Sequence, residues 1–315
     1  MKLITQPDAG ILPVVEAIRK AKKTIDVVIF RFDLDAVEKA LADAVQRGVL
    51  VRALIAHTNR GGESKLRKLE QRMLAAGLNV SRTADDLLRY HAKFMICDGR
   101  LYLLGFNFTK LDIGKSRSFA ISTKDKKAVQ EAAKVFEADV TRQPYLPAKS
   151  HLVVSPETSR ARLADFIKGA KKDLAIYDAK VSDPGMVKLL KERVTKGVRI
   201  RVLGSVKGKH DGIEEYSLGP MRLHVRAIVC DGLRAFVGSQ SMAKGELDSR
   251  REVGLIVNNP SVARQLLQVF EADWKDSAPK DKDEKKAEKE AKQDEKKADK
   301  EEKKADKKEE KESAA

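Results

Sequence analysis

The chain has 315 residues, 42% of them hydrophobic, and a formal net charge of +16. That length suits two domains and that hydrophobic share supports packed cores, which excludes a wholly disordered polypeptide. Residues 275–315 hold 15 Lys and 15 Asp or Glu, so the excess charge lies on residues 1–274, and a body this basic favours phosphorylated substrates, nucleic acid or an anionic membrane face.

Residues 1–8 lack the apolar run of a secretion signal, and no stretch approaches the roughly 20 apolar residues of a spanning helix. From there the pattern predicts a helix over 11–22, a strand over 25–30, a helix over 36–46 and a strand over 49–56. Gly48 precedes the last of these, where a left-handed helix cap is wanted. An amphipathic helix is predicted over 63–74. The segment Gln143-Pro144-Tyr145-Leu146-Pro147 punctuates the chain, and the same series then begins again. Ser155-Pro156-Glu157 reads as the start of a helix over 156–170, with Ser155 as its N-cap and Pro156 in the first turn. A strand over 174–177, a helix over 186–195, Gly197 and a strand over 198–203 follow. Arg47-Gly48-Val49-Leu50-Val51-Arg52 matches Lys196-Gly197-Val198-Arg199-Ile200-Arg201.

The chain therefore divides into repeats over 1–147 and 148–275 and a low-complexity Lys/Glu/Asp/Ala tail over 276–315, read as disordered or a single solvated helix. Alternating strands and helices imply a mainly parallel sheet in each repeat, covered by helices on both faces. Cys97 and Cys230 occupy matching positions and read as small buried strand residues, so a reducing compartment is the default.

Each repeat carries one unusual strand. The first reads Tyr90-His91-Ala92-Lys93-Phe94-Met95-Ile96-Cys97-Asp98-Gly99, and the second Leu223-His224-Val225-Arg226-Ala227-Ile228-Val229-Cys230-Asp231-Gly232. Residues two apart share a strand face, so His91 points with Lys93 and His224 with Arg226. A cation and an imidazole on a buried strand are costly without partners. One such pair could be an accident of packing, but two in register argue for a shared pocket. Asp-Gly then closes a tight hairpin. Arg31 and Asp178 take matching places at strand ends, where ligands of open α/β sheets gather.

These strands resemble the paired HxKxxxxD motifs of the phospholipase D superfamily, and the layout of residues 1–274 resembles its single-chain members. The resemblance implies an α/β fold: two homologous phospholipase D-like α-β-α sandwich repeats packed with pseudo-two-fold symmetry, plus the charged tail. The family's following Gly-Ser-x-Asn block is matched by Gly238-Ser239-Gln240-Ser241 and by Gly105-Phe106-Asn107, the first repeat being one residue shorter. Its downstream acid is matched by Glu252 but falls on Ser118 in the first repeat. Arg226, Ser241 and Ser118 depart from the family's Lys, Asn and Glu, so neither half is complete and the two together supply one asymmetric pocket.

The implied activity is that of a phosphodiester hydrolase or phosphatidyltransferase, like phospholipase D or cardiolipin synthase, working through a phosphohistidine. His91 is assigned as nucleophile and His224 as acid and base. Lys93, Arg226 and Asn107 hold the phosphate oxygens, Ser239 and Ser241 flank them, and Glu252 orients an imidazole. Asp98 and Asp231 belong to the motif, either in catalysis or only in fixing the turns. No metal or other cofactor is implied, and no oligomer is required, since both motifs lie in one chain. The expected partner is phospholipid at an anionic membrane surface, with a cytoplasmic location peripheral to the inner membrane face. A metal-independent nuclease of the same superfamily is the alternative, the basic body suiting nucleic acid equally. The substitutions at Arg226 and Ser241 leave a third reading, a catalytically degenerate binding module.

Overall fold

The computed structural model describes residues 1–59, 62–219 and 221–279. The charged run that was read as disordered or helical lies outside them from residue 280 onward. The first repeat runs β1 (Lys2–Gln6), α1 (Leu12–Lys20), β2 (Thr24–Ile29), α2 (Asp35–Gln46), β3 (Leu50–Ile55), α3 (Glu63–Ala75), β4 (Asn79–Arg82), β5 (Arg89–Tyr90), β6 (Phe94–Cys97), β7 (Arg100–Leu104), α4 (Lys110–Gly114), β8 (Ser116–Thr123) and α5 (Lys126–Thr141). The second runs β9 (Leu152–Ser155), α6 (Ser159–Lys168), β10 (Asp173–Val181), α7 (Pro184–Val194), β11 (Arg199–Val206), β12 (Ile213–Tyr216), β13 (Arg222–Leu223), β14 (Arg226–Cys230), β15 (Arg234–Gly238), α8 (Lys244–Asp248), β16 (Arg250–Val257) and α9 (Pro260–Ser277).

The helices form where apolar residues recur at helical spacing. Val14 and Ile18 of α1, and Val37, Leu41 and Ala44 of α2, are buried against one face of the first sheet. Gly48 and Gly197 follow α2 and α7 at φ +82° and +80°, the left-handed conformation expected of them. The helix expected from residue 156 begins instead at Ser159, because Ser155 ends β9, antiparallel to β16 and opposite Glu252. Thr158 turns back on Val154, its hydroxyl within hydrogen-bond reach of that residue's N–H and C=O. The local cap signal at Ser155 lost to a strand pairing nearly 100 residues away in sequence.

The first sheet has the order β1-β8-β7-β6-β2-β3-β4 and the second β12-β11-β10-β14-β15-β16, with β9 also on β16. Both sheets are mixed, which corrects the expectation of mainly parallel ones. Among the described residues β2–β3–β4 and β10–β11–β12 run parallel, as do the two-residue pairings of β5 with β16 and β13 with β8; the other pairs of named strands are antiparallel. The cause is the Asp-Gly turn. Asp98 and Gly99 adopt φ +45° and +74°, the doubly left-handed turn that folds β6 back on β7. In the second repeat Cys230 pairs with Arg234, so Leu233 is the additional turn residue that lengthens this repeat by one.

Three apolar layers result. Helices α1, α2 and α3 cover the outer face of the first sheet, and α6 and α7 that of the second. Between the sheets lies a core shared by both, into which α5 and α9 send Ala132, Val135, Phe136, Leu266 and Phe270. Residues Met1–Asp276 make one compact unit.

Two buried ion pairs cross between the repeats. Arg117 of β8 meets Asp273 of α9 at 2.8 Å, and Arg251 of β16 meets Asp139 of α5 at 3.1 Å. All four side chains are nearly inaccessible, and both arginines also donate to backbone oxygens, of Gln6 and Ser155 respectively. Such pairs add little net stability over apolar packing, but losing one partner strands a buried charge. They therefore fix how β8 and β16 meet the opposite repeat.

Candidate active site

The site is assembled by a reciprocal exchange of short strands. β5 leaves its own sheet and runs parallel to β16, Arg89 opposite Arg250 and Tyr90 opposite Arg251. β13 does the same on β8, Arg222 opposite Ser116 and Leu223 opposite Arg117. The next residue in each case is the motif histidine. His91 N–H donates to Arg251 O at 2.8 Å, and His224 N–H to Arg117 O at 3.3 Å. Each imidazole is thus delivered to a strand of the other repeat.

His91 lands beside Glu252, whose carboxylate lies 2.9 Å from Nδ1 and has no accessible surface. Burial pushes His91 down to about 4, with Lys93 reinforcing the shift and Glu252 opposing it. Burial would raise Glu252, but His91 and then Lys93 hold it below the usual carboxylate range. A neutral imidazole therefore faces an ionised carboxylate. The His224 backbone N–H donates to the carbonyl of Arg117, the neighbour of Ser118; Ser118 is the residue matching Glu252, and its buried hydroxyl has no hydrogen-bond partner among the described residues. The carboxylate for His224 comes from elsewhere: Asp112 of α4 lies 3.1 Å from His224 Nε2. Burial lowers His224 as well, and Asp112 opposes it. Asp112 itself sits well below its ordinary value, burial being outweighed by His224 and by the Asn107 hydrogen bonds.

The cations share a geometry. Lys93 donates to the carbonyl of His91 at 2.6 Å and Arg226 to that of His224 at 2.8 Å, the two-residue strand spacing that the sequence predicts. Lys93 is fully buried, and burial brings its ammonium down to about 8. Asn107 donates to Asp112 at 2.7 Å, lies 3.5 Å from His224, and accepts the Arg31 N–H. At the matching place Ser241 donates to Asp178 instead, and its N–H donates to Glu246 at 2.7 Å. The strand registers place Asp178 where the first repeat has Ile29, not Arg31 as expected from the sequence, and its carboxylate lies 3.7 Å from Arg226 Nε. Gly204, at φ +139°, lets β11 approach the carbonyl of Asp178 so closely that no Cβ would fit. Ser239 hydroxyl bridges to the backbone of Val253, next to Glu252.

These residues line one cavity of about 280 Å³: Phe30, His91, Lys93, Asn107, Asp112, His224, Arg226, Ser239 and Glu246 within it, with Arg31, Arg89, Arg222 and Arg250 contributing further positive charge. A larger cavity of about 850 Å³, beside β1 and α1, contains neither motif histidine, so chemistry and not size identifies the site. Asp98 and Asp231 are placed elsewhere. Each carboxylate accepts three backbone N–H groups, of residues 22–24 and 171–173, and neither lines the cavity with the histidines. Burial would raise both, but those N–H groups hold them below their ordinary values. Ser241 and Glu252 adjoin the cavity through Glu246 and His91. His57, His151 and His210 do not line it. The cysteines are free and buried.

Asp112, Glu246, Arg222 and Arg250 escaped the sequence reading. Arg222 and Arg250 hold Asp112 and Glu246 at 2.7 and 3.0 Å. The signal was present: Asp112 and Glu246 each stand five residues after Asn107 and Ser241, at matching places of two short helices. Among the described residues no group of three or more His, Cys, Asp or Glu is arranged to hold a metal, and no helix is long and apolar enough to cross a membrane.

A family model described as cardiolipin synthase, phospholipase D-like domain matches residues 14–140 and 163–274. No curated protein matches the chain in sequence. Among solved structures the chain is similar to a polyphosphate kinase from Porphyromonas gingivalis, with TM-score 0.72 and 19% identity, covering 86% of this chain and 49% of that one. It thus spans about half the length of the kinase. It is also similar to a phosphatidylserine synthase from Haemophilus influenzae Rd KW20, with TM-score 0.68 and 11% identity, covering 88% and 86% of the two chains. At these identities the likenesses show the fold.

Proposed function

Because the chain belongs to the family of cardiolipin synthase, phospholipase D-like domains, we propose that it cleaves or transfers the phosphatidyl group of phospholipids through a phosphohistidine intermediate. The observation that carries this reading is the pairing of His91 with Glu252 across the two repeats, in the cavity that also holds His224 and Asp112.

With Nδ1–H donated to Glu252, His91 Nε2 keeps its lone pair and is neutral over the physiological range, as a nucleophile must be. Nε2 attacks phosphorus; a P–N bond forms, the P–O bond to the leaving group breaks, and His224 supplies the leaving oxygen with a proton. Asp112 and the anionic substrate both favour the protonated form that His224 needs. Lys93, Arg226 and the Asn107 amide stabilise the charge on the non-bridging oxygens. His224 then removes a proton from water or an acceptor alcohol, whose oxygen attacks phosphorus and frees His91. Asp98 and Asp231 serve the turns and take no part in the chemistry.

The test uses purified protein in EDTA with phosphatidylcholine, phosphatidylglycerol or plasmid DNA. Headgroup release or cardiolipin formation, together with a phosphorylated His91 after rapid quenching, supports the proposal. DNA nicking without lipid turnover would turn the reading to the nuclease. No turnover of any of the three would turn it to the degenerate binding module.

A further inference from the structure

The two repeats share one order of elements except beside α7, and the difference leaves a lysine-lined groove. In the first repeat, β3 and β4 are joined through α3, whose Leu69 and Met73 pack on the outer core and whose Arg72 meets Glu38 of α2. In the second, residues 207–212 alone join β11 to β12, and Val187 stands where Glu38 stood. The vacated place is a groove of about 420 Å³ between α7 and that short connection. Pro184 and Val187 give it an apolar floor, and Lys188, Lys191, Lys207 and Lys209 surround it.

Four like charges around one groove repel, and Lys188 and Lys191 are neighbours on one helix face, where like charges destabilise. The repeat supplies an internal control: Lys39, matching Lys188, is paired with Asp43 at 3.0 Å. None of the four groove lysines has an ion-pair partner among the described residues. The groove also lies at the catalytic end of the sheet. Ser182 and Asp183 N–H groups both donate to Met242 O, beside Ser241, and Lys207 N–H donates to Val181 O at the end of β10.

We propose that this groove is an accessory binding site for an anionic phospholipid, separate from the catalytic cavity, which docks the protein on a bilayer. Lysine ammoniums meet a phosphate as mobile point charges, and an apolar floor beneath them suits the first carbons of an acyl chain. The groove offers no aromatic platform on which the bases of a nucleic acid strand would stack, which argues against that polyanion. The proposal rests on the lipid reading of the active site, but its test reads binding alone.

The experiment uses the full chain carrying His91→Ala, so that no turnover alters the vesicles. Sedimentation with phosphatidylcholine vesicles is compared with sedimentation with vesicles containing phosphatidylglycerol. Binding is expected only to the anionic vesicles and to weaken with salt. Replacing the four lysines by Gln should reduce it about a thousandfold, and replacing them by Arg should retain it. Unchanged binding by the Gln variant would overturn the proposal. So would displacement of bound vesicles by a single-stranded oligonucleotide at equal phosphate concentration. Lipid turnover is measured separately on the native protein, so failure of docking and failure of the lipid reading give different results.

Discussion

Glu252 lies 2.9 Å from His91, although the two residues belong to different repeats and are 161 positions apart. That contact exists because β5 abandons its own sheet for β16, and β13 reciprocates on β8. Neither half could supply a buried imidazole with its carboxylate alone.

Glu252→Gln removes the charge while keeping the shape. It should lower kcat by about a hundredfold or more, since a neutral partner no longer selects the tautomer or stabilises positive charge on the attacking ring. The quantity to follow is single-turnover phosphorylation of His91. An unchanged rate would show that the carboxylate does not act through His91.

The pH dependence follows from burial. His91 must be neutral to attack and is held at about 4, whereas Lys93 must be charged and loses its proton at about 8. The kcat/KM profile should therefore rise through about pH 4, well below an ordinary histidine, and fall as His224, the required acid, loses its proton below the ordinary histidine range, with the loss of the Lys93 charge following at about 8. An acid limb near 6.5 would mean an unperturbed nucleophile.

Asp112→Asn should act on the other limb. The carboxylate raises His224 against its burial, so its removal leaves the imidazole deprotonated at lower pH. Less of the required acid form is then present, and the basic limb should move to lower pH while kcat drops. A substrate with a good leaving group, which needs no proton, should be spared. Equal losses on both substrates would assign Asp112 a merely structural role.

Much of this site was legible beforehand. The spacing of His91 with Lys93 and of His224 with Arg226 placed each pair on one face, and the Asp-Gly turns gave the hairpins. The strand exchange was not legible, because β5 and β13 are two residues long and owe their conformation to the opposite sheet. For the same reason the sequence offered His224 no carboxylate: the family's acid falls on Ser118 in the first repeat, and Asp112 meets the imidazole only across the exchanged strands. The mixed sheets were missed because parallel crossovers dominate the helical pattern, whereas the antiparallel half of each sheet grows from one turn. Ser155 misled through a good local cap signal that a distant strand overrode.

Asp98→Ala should separate stability from catalysis. Losing the acceptor for the N–H groups of Lys22, Lys23 and Thr24 should cost about 1–2 kcal/mol, an exposed site being screened by water, with kcat nearly unchanged. Its folded value is lowered, so the stabilisation is present above the ordinary aspartate range and is lost as pH falls through the folded value. Thermal unfolding of the native protein and the variant should therefore converge in acid. A large loss of kcat at full stability would return Asp98 to the chemistry.

Arg117→Met should destabilise by about 3–5 kcal/mol, because Asp273 is left buried without its cation. The double variant Arg117→Met with Asp273→Leu should recover much of that loss in denaturant unfolding, which a simple packing defect would not do.

The central claim is that two motifs make one active site, and the kinetics of His91→Ala, His224→Ala and the double variant test it most directly. A shared site predicts that each single variant loses about a thousandfold or more and that the double loses little beyond the worse single. If each single variant instead kept about half the native activity and only the double abolished it, the repeats would be two independent sites and the account would be wrong.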